Sequence, residues 1–303
     1  MSMRLIKTVA IAAGLLAGVA GNALADWRKQ YPVLKIGGVT TENQGATITR
    51  FKPVADYLGA KLRVKVEVFT ASDYAGIVQA LSAGQLHIGR MGGAAYASGY
   101  LDSNGGIEPL VLNLEPDGGD GYYSVLIVRK DNPAAKLEDL KGKTLAYPDP
   151  NSTSGFLVPQ ASLKAINIDP SAYFGRTVFS GSHEASVVGV LKGNFDSAFT
   201  WTSPGHAAGQ LRIMIDRNML KLDDIKIVWQ SPIIPNPLYA VKKDIPADMR
   251  ADILKVFLDM AKDNMAVAEM AAQGKTSGFR ETNHDMYKTI VTVAEEQRKN
   301  RRK

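Results

Sequence analysis

Ser152, Thr153 and Ser154 place three consecutive hydroxyls after a short apolar strand, Leu145-Ala146-Tyr147, and a Pro148-Asp149-Pro150-Asn151 turn. Residues 156–163 then read as a helix. The hydroxyls therefore fall at a helix N-terminus, where the first backbone N–H groups lack intrahelical partners and the positive end of the dipole points outward. One Ser or Thr suffices as a cap. Three exceed that need, and the surplus donors suit a small oxyanion such as phosphate. Turnover is less well served. The four histidines stand apart at 87, 183, 206 and 284, without His-x-His or His-Glu-x-x-His spacing, and no Gly-x-Ser-x-Gly elbow surrounds the serines. Cysteine is absent, which excludes a thiol nucleophile, a thiolate metal site and a disulfide framework. We therefore expect no catalytic residue, no metal and no cofactor. A phosphatase-type hydrolase or an anion-sensing subunit is the alternative.

The elements that must position these hydroxyls alternate along the chain. Residues 33–39 and 64–69 read as strands around a helix at 48–58, and a helix at 74–81 leads to a short strand at 86–89. This order implies a parallel, doubly wound sheet. The Gly- and Asp-rich stretch 115–121 is a breaker, after which 122–129 reads as a long strand. A second α/β set follows, with strands at 144–147, 176–179 and 197–200 and helices after Ser154 and at 185–191. The Pro-rich segment 231–237 cannot be a central strand throughout and reads as a crossover continuing into a strand at 238–241. Residues from 247 onward read as mostly helical. Arg90 follows a strand and precedes a Gly pair, a place where α/β sites form, although a salt bridge or cap contact explains it more simply.

The run Asp149-Pro150-Asn151-Ser152-Thr153-Ser154-Gly155-Phe156-Leu157-Val158-Pro159 resembles the signature of the phosphonate/phosphate/phosphite-binding proteins of ABC importers. Four more segments fit that family in order: Ser72-Asp73-Tyr74-Ala75-Gly76-Ile77, 121–128 beginning Gly121-Tyr122-Tyr123, Gly181-Ser182-His183-Glu184-Ala185, and 229–235 beginning Trp229-Gln230-Ser231-Pro232. The resemblance implies an α/β, bilobal periplasmic binding protein of the type II-like class, two doubly wound sheets joined by two hinge crossings near Gly121 and Ser231. Lobe one is expected at 26–120 plus 235–303 and lobe two at 121–234, with the ligand between them. It implies that Tyr74, Tyr122 and His183 join Ser152, Thr153 and Ser154 as donors to the anion. Tyr123 should face away, since strand side chains alternate. Members that take aminoalkyl phosphonates hold the ammonium with two carboxylates, and the matching positions here are Ser203 and, across a one-residue shortening, Asn236. Neither is acidic, and Trp201 stands beside them, so a small or apolar substituent is expected. The implied partners are a small phosphorus oxyanion and an ABC permease and ATPase complex; no nucleic acid is expected, and the protein should be a monomer.

The ends agree with export. Arg4 and Lys7 precede an apolar run at 8–19, and Ala23-Leu24-Ala25 forms a small-x-small cleavage pattern, so 1–25 reads as a signal peptide and the periplasm as the destination. The net charge of +6 sits at the termini: two basic residues lie in the signal and five among the last six residues. The body is close to neutral, and the basic end reads as a frayed, solvated tail.

Overall fold

The computed structural model describes residues 26–39 and 41–301, so the signal segment lies outside it. Twelve strands are described: β1 (Val33–Gly38), β2 (Lys65–Phe69), β3 (Ile88–Met91), β4 (Ile107–Leu114), β5 (Gly121–Arg129), β6 (Thr144–Tyr147), β7 (Arg176–Phe179), β8 (Ser197–Thr202), β9 (Ile225–Gln230), β10 (Ile234–Pro235), β11 (Leu238–Lys242) and β12 (Gly278–Glu281). They form two six-stranded sheets. The first has the order β12-β4-β11-β3-β1-β2. The second has the order β10-β5-β8-β6-β7, with β9 also on β5. The chain passes from the first sheet to the second between β4 and β5 and returns between β10 and β11.

The expected parallel winding holds for β1, β2 and β3, and again for β6, β7 and β8. Both sheets are nonetheless mixed. β11 inserts antiparallel between β3 and β4, and β5 lies antiparallel to β8 and β9. The returning segment therefore becomes a central strand of the first sheet, which ties the C-terminal third to the N-terminal core. Sequence periodicity passed over β4, β9 and β12. β4 carries Pro109 and Asn113 inside its run, and β12 is a four-residue strand within a largely helical region. The helix at 48–58 extends over Gln44–Leu62, because the Asn43 side chain accepts the Ala46 N–H and caps it earlier.

The first sheet packs on two apolar layers. One contains Phe51, Leu58, Phe257 and Tyr239, and also the fully buried Trp27, whose indole N–H donates to Asp252 at 2.8 Å. The other contains Tyr96, Leu238 and Tyr287 and continues to Tyr122 and Trp201 of the second-sheet region. Each fully buried large apolar side chain contributes about 1.5–3 kcal/mol. The C-terminal helix Lys288–Arg301 corrects the expected frayed tail at its start: Arg298 pairs with Asp102 at 2.6 Å and Lys299 with Glu295 at 2.9 Å. Acidic partners one helical turn or one element away pair with these two residues, and the end of the run, Arg302 and Lys303, lies outside the described residues.

Candidate functional site: a closed cavity at four helix N-termini

The strands of both sheets end on helices whose N-termini converge. β2 leads to the helix Tyr74–Ser82, capped by Asp73, which accepts the Gly76 N–H at 2.8 Å. β3 leads through Gly92 to the helix Gly93–Asp102. β6 leads to Ser152, whose hydroxyl accepts the Gly155 N–H at 3.0 Å and starts a π turn, Thr153–Leu157, that runs into the helix Val158–Ala165. β7 leads to Ser182, which caps the helix His183–Leu191 through the Ala185 N–H. Such carboxyl ends of parallel strands are where open α/β sheets bind ligands.

Tyr74, Gly92, Ser152 and His183, each the cap or first residue of one of these helices, line one cavity with Thr153, Ser154, Tyr122, Arg90 and Trp201. The remaining lining residues are Val39, Thr41, Pro237 and Gln273. The volume open to the centre of a water-sized sphere is ≈ 30 Å³. All six leading candidates are thus brought together from distant parts of the chain. Tyr123 turns away into the apolar layer on the other face of β5, as strand alternation requires.

The geometry fixes the hydroxyls and leaves protons to donate. Thr153 Oγ1 accepts the Ala94 N–H at 2.8 Å across the cleft, so its own proton remains available. The Ser154 carbonyl accepts the Ser124 hydroxyl at 2.5 Å, which fixes the turn. Gly155 is required there, since a Cβ would stand 2.0 Å from Pro148 Cγ. Burial pushes the Tyr122 hydroxyl up to about 12, against hydrogen bonding with Ser154 and Thr153, and pushes Tyr74 up as well, with the nearby Asp149 adding to it. Both therefore stay protonated donors. Tyr122 packs edge-on against Trp201 at 5.4 Å between ring centroids.

His183 is held neutral. Burial lowers its imidazole to about 3. Nε2 lies 3.0 Å from Ser152 Oγ and Nδ1 lies 3.3 Å from Thr200 Oγ1. Between the ordinary histidine value of about 6.5 and that lowered value, the unfolded chain binds a proton that the folded chain refuses, so this group makes stability fall as pH falls through that window. Glu115 and Asp149, raised by burial, act with the opposite sign. A comparison with His183→Gln isolates the imidazole, because both proteins share those carboxyls. The thermal midpoint of the wild type should drop more steeply than that of the variant between pH 6.5 and 4. Parallel slopes would remove the assignment.

Arg90 makes the simpler contact anticipated for it. Its Nε and Nη2 donate to the Ala271 and Ala272 carbonyls at 3.0 and 2.9 Å, capping the C-terminus of the helix Met265–Ala272, and Nη1 donates to Gln273 Oε1 at 2.5 Å. Burial lowers it to about 10, which leaves it charged at neutral pH. It is also the one formally charged residue among those lining the cavity. No carboxylate joins it there.

Ser203 and Asn236 are a correction: neither lines the cavity. Ser203 Oγ is taken by the Ala208 N–H at 2.6 Å, and Asn236 Nδ2 donates to the Asn113 carbonyl and to Glu115 Oε1, both at 3.0 Å. The Asn236 amide nitrogen serves the crossing between the sheets, and the Ser203 hydroxyl serves the loop that follows β8. Sequence reasoning also overlooked Glu115, a buried carboxylate that sits against Asn236. It overlooked Gly92, Thr41 and Gln273 as well, since no residue-type signal marks a glycine or an amide as part of a site. Among the described residues, no group of His, Asp and Glu is arranged to hold a metal ion.

Two mixed α/β sheets, joined by two chain crossings and enclosing a donor-lined cavity between them, define a bilobal solute-binding protein. The chain belongs to the family of periplasmic substrate-binding proteins of phosphonate ABC transporters, whose profile matches residues 36–287. It is 33% identical over 238 residues to the phosphonates-binding periplasmic protein of Escherichia coli, covering 77% of this chain and 68% of that one. It is 29% identical over 257 residues to a phosphate-import protein of Mycolicibacterium smegmatis, covering 79% and 78%. The crystal structure of a binding-protein component of an ABC phosphonate transporter from Pseudomonas aeruginosa superimposes with a TM-score of 0.76 at 27% identity, covering 86% of this chain and 85% of that one. No described helix is long and apolar enough to cross a membrane.

Proposed function

We propose that this protein captures a small phosphorus oxyanion (phosphite, phosphate or a short alkylphosphonate) between lobes formed by 26–120 with 235–303 and by 121–234, and delivers it to an ABC permease and ATPase complex. The convergence of four helix N-termini on one cavity carries this reading. Each contributes partial positive charge and oriented N–H groups. Tyr74, Tyr122, Ser152, Thr153, Ser154 and His183 are the ligand-binding residues, with Arg90 setting a positive potential and Trp201 limiting the substituent. The family supports transport rather than catalysis, and the curated relatives differ in the phosphorus ligand named for them, so the cavity decides among ligands. Its small volume and apolar Trp201 wall favour the smaller ones. The protein acts as a monomer in the periplasm, after cleavage of the signal peptide behind Ala25.

Calorimetric titration of the mature chain, 26–303, with phosphite, phosphate, methylphosphonate and 2-aminoethylphosphonate tests this. One-to-one binding of at least one of the first three is expected, with the aminophosphonate weaker because no lining carboxylate offsets its ammonium. Absence of binding by all four would overturn the reading.

A further inference from the structure

The two halves also meet outside the cavity, through charge. Glu42 lies in the loop after β1, and its carboxylate is completely buried. Two arginines hold it. Arg50, on the helix Gln44–Leu62 of the same half, reaches Glu42 Oε1 with Nε at 3.0 Å. Arg217 follows the helix Gln210–Asp216 of the other half, and its Nη2 stands 2.7 Å from Glu42 Oε2. Arg217 also faces Glu184 at 3.7 Å, and Glu184 accepts from the Asn43 side chain at 3.4 Å. The Glu184 N–H donates to the Thr41 carbonyl at 3.1 Å.

These contacts sit between the closed cavity and a wider groove of ≈ 660 Å³ lined by Arg50, Arg217, Asn43 and Lys275. Gln273 lines both spaces. It accepts from Arg90 and donates to Thr41 Oγ1 at 3.1 Å, which connects the cavity wall to the loop bearing Glu42.

We propose that Glu42 and Arg217 form a latch that holds the two halves together and sets the rate of ligand release without touching the ligand. The reasoning is electrostatic. When the halves part, Glu42 keeps Arg50 and loses Arg217, so the buried carboxylate goes from two cations to one. Arg217 is one-third exposed and recovers solvent easily, which keeps the latch reversible. Arg217 meets the carboxylate as an ion pair, without a directed hydrogen bond at Oε2, so its removal leaves the buried charge to Arg50 alone, and truncating one partner of a buried charge pair acts mainly on dissociation. The guanidinium places one nitrogen near each of two carboxylates, Nη2 at Glu42 and Nη1 at Glu184, and a lysine has a single nitrogen to divide between them. The latch rests on the two-lobed capture reading, and its test has an arm that needs no ligand.

The chain lacks cysteine. Ser98 and Asn151 meet across the cleft, with the Ser98 hydroxyl donating to Asn151 Oδ1 at 3.0 Å. A Ser98→Cys/Asn151→Cys pair, oxidised by glutathione disulfide, reports closure by its rate of cross-linking in ligand-free protein. Adding Arg217→Gln should slow cross-linking roughly tenfold, with Arg217→Lys in between. In the cysteine-free protein, Arg217→Gln should raise the dissociation rate of methylphosphonate, followed by tryptophan fluorescence, by roughly tenfold with little change in association. In a Glu42→Gln background the same substitution should add little. Unchanged cross-linking and unchanged release in Arg217→Gln would overturn the latch. If methylphosphonate and the other anions fail to bind the wild type, the capture reading falls while the cross-linking arm still decides this one.

Discussion

Replacing Thr153 and Ser154 together by alanine should weaken oxyanion binding at least tenfold, and by about a hundredfold or more if the two hydroxyls act independently. Hydrogen bonds to a charged partner contribute about 1.5–3 kcal/mol each, and each 1.4 kcal/mol is a factor of ten. Both residues are buried in the cavity wall, in the first turn after the Ser152 cap, where backbone N–H groups lack intrahelical partners. The two changes differ in side effects. Thr153→Ala also removes the acceptor of the Ala94 N–H, so part of its cost falls on closure. Ser154→Ala breaks no such contact across the cleft and reads out the ligand more directly. Calorimetry on both single variants and the double variant, with thermal midpoints recorded alongside, separates loss of affinity from loss of fold. Unchanged affinity in the double variant would remove the Ser-Thr-Ser turn from the site.

The second large effect is expected at a residue without a side chain. Gly92 caps the helix Gly93–Asp102 with ordinary extended backbone angles, φ −81° and ψ 169°, so alanine is tolerated by the backbone itself. The obstacle lies across the cleft. A Cβ at Gly92 would come 2.5 Å from Thr153 Oγ1, and no real Cβ contact is that short. Gly92→Ala should therefore leave each half folded and prevent their close approach. Overpacking of this kind costs typically about 1–3 kcal/mol, which corresponds to a loss of affinity of about five- to more than a hundredfold. X-ray scattering should show a decrease in radius of gyration when ligand is added to the wild type, and little or none for the variant. A variant that closes and binds as tightly as the wild type would mean that the halves meet differently in solution.

Arg90, Asn236 and the hydroxyl run show how far residue type alone can carry a reading. The three hydroxyls were legible because they exceed what one helix cap needs, a local surplus that requires no fold to notice. The alternating elements were legible for the same reason: strand and helix periods are local, and they gave the parallel triplets β1, β2, β3 and β6, β7, β8 correctly. Tyr74, Tyr122 and His183 were located by their place in a family pattern, since a lone tyrosine or histidine has a structural explanation wherever it occurs.

Tertiary structure alone decided the rest, because it depends on contacts between residues far apart in sequence. Strand β11 enters antiparallel between β3 and β4, a pairing that its own five residues do not encode. Asn236 was placed by register, yet its amide nitrogen is spent on Asn113 and Glu115 at the crossing. Glu42 and Arg217 are 175 positions apart and pair only because closure buries the carboxylate between two halves. Gly92 has no functional group, and its role appears only when the distance to Thr153 is known. The sequence by itself marked the candidate donors and the helices that present them, and made export of the chain an expectation. The fold determined which donors share one cavity, which charges close it and which position must remain without a side chain, since each of those depends on distances across the cleft.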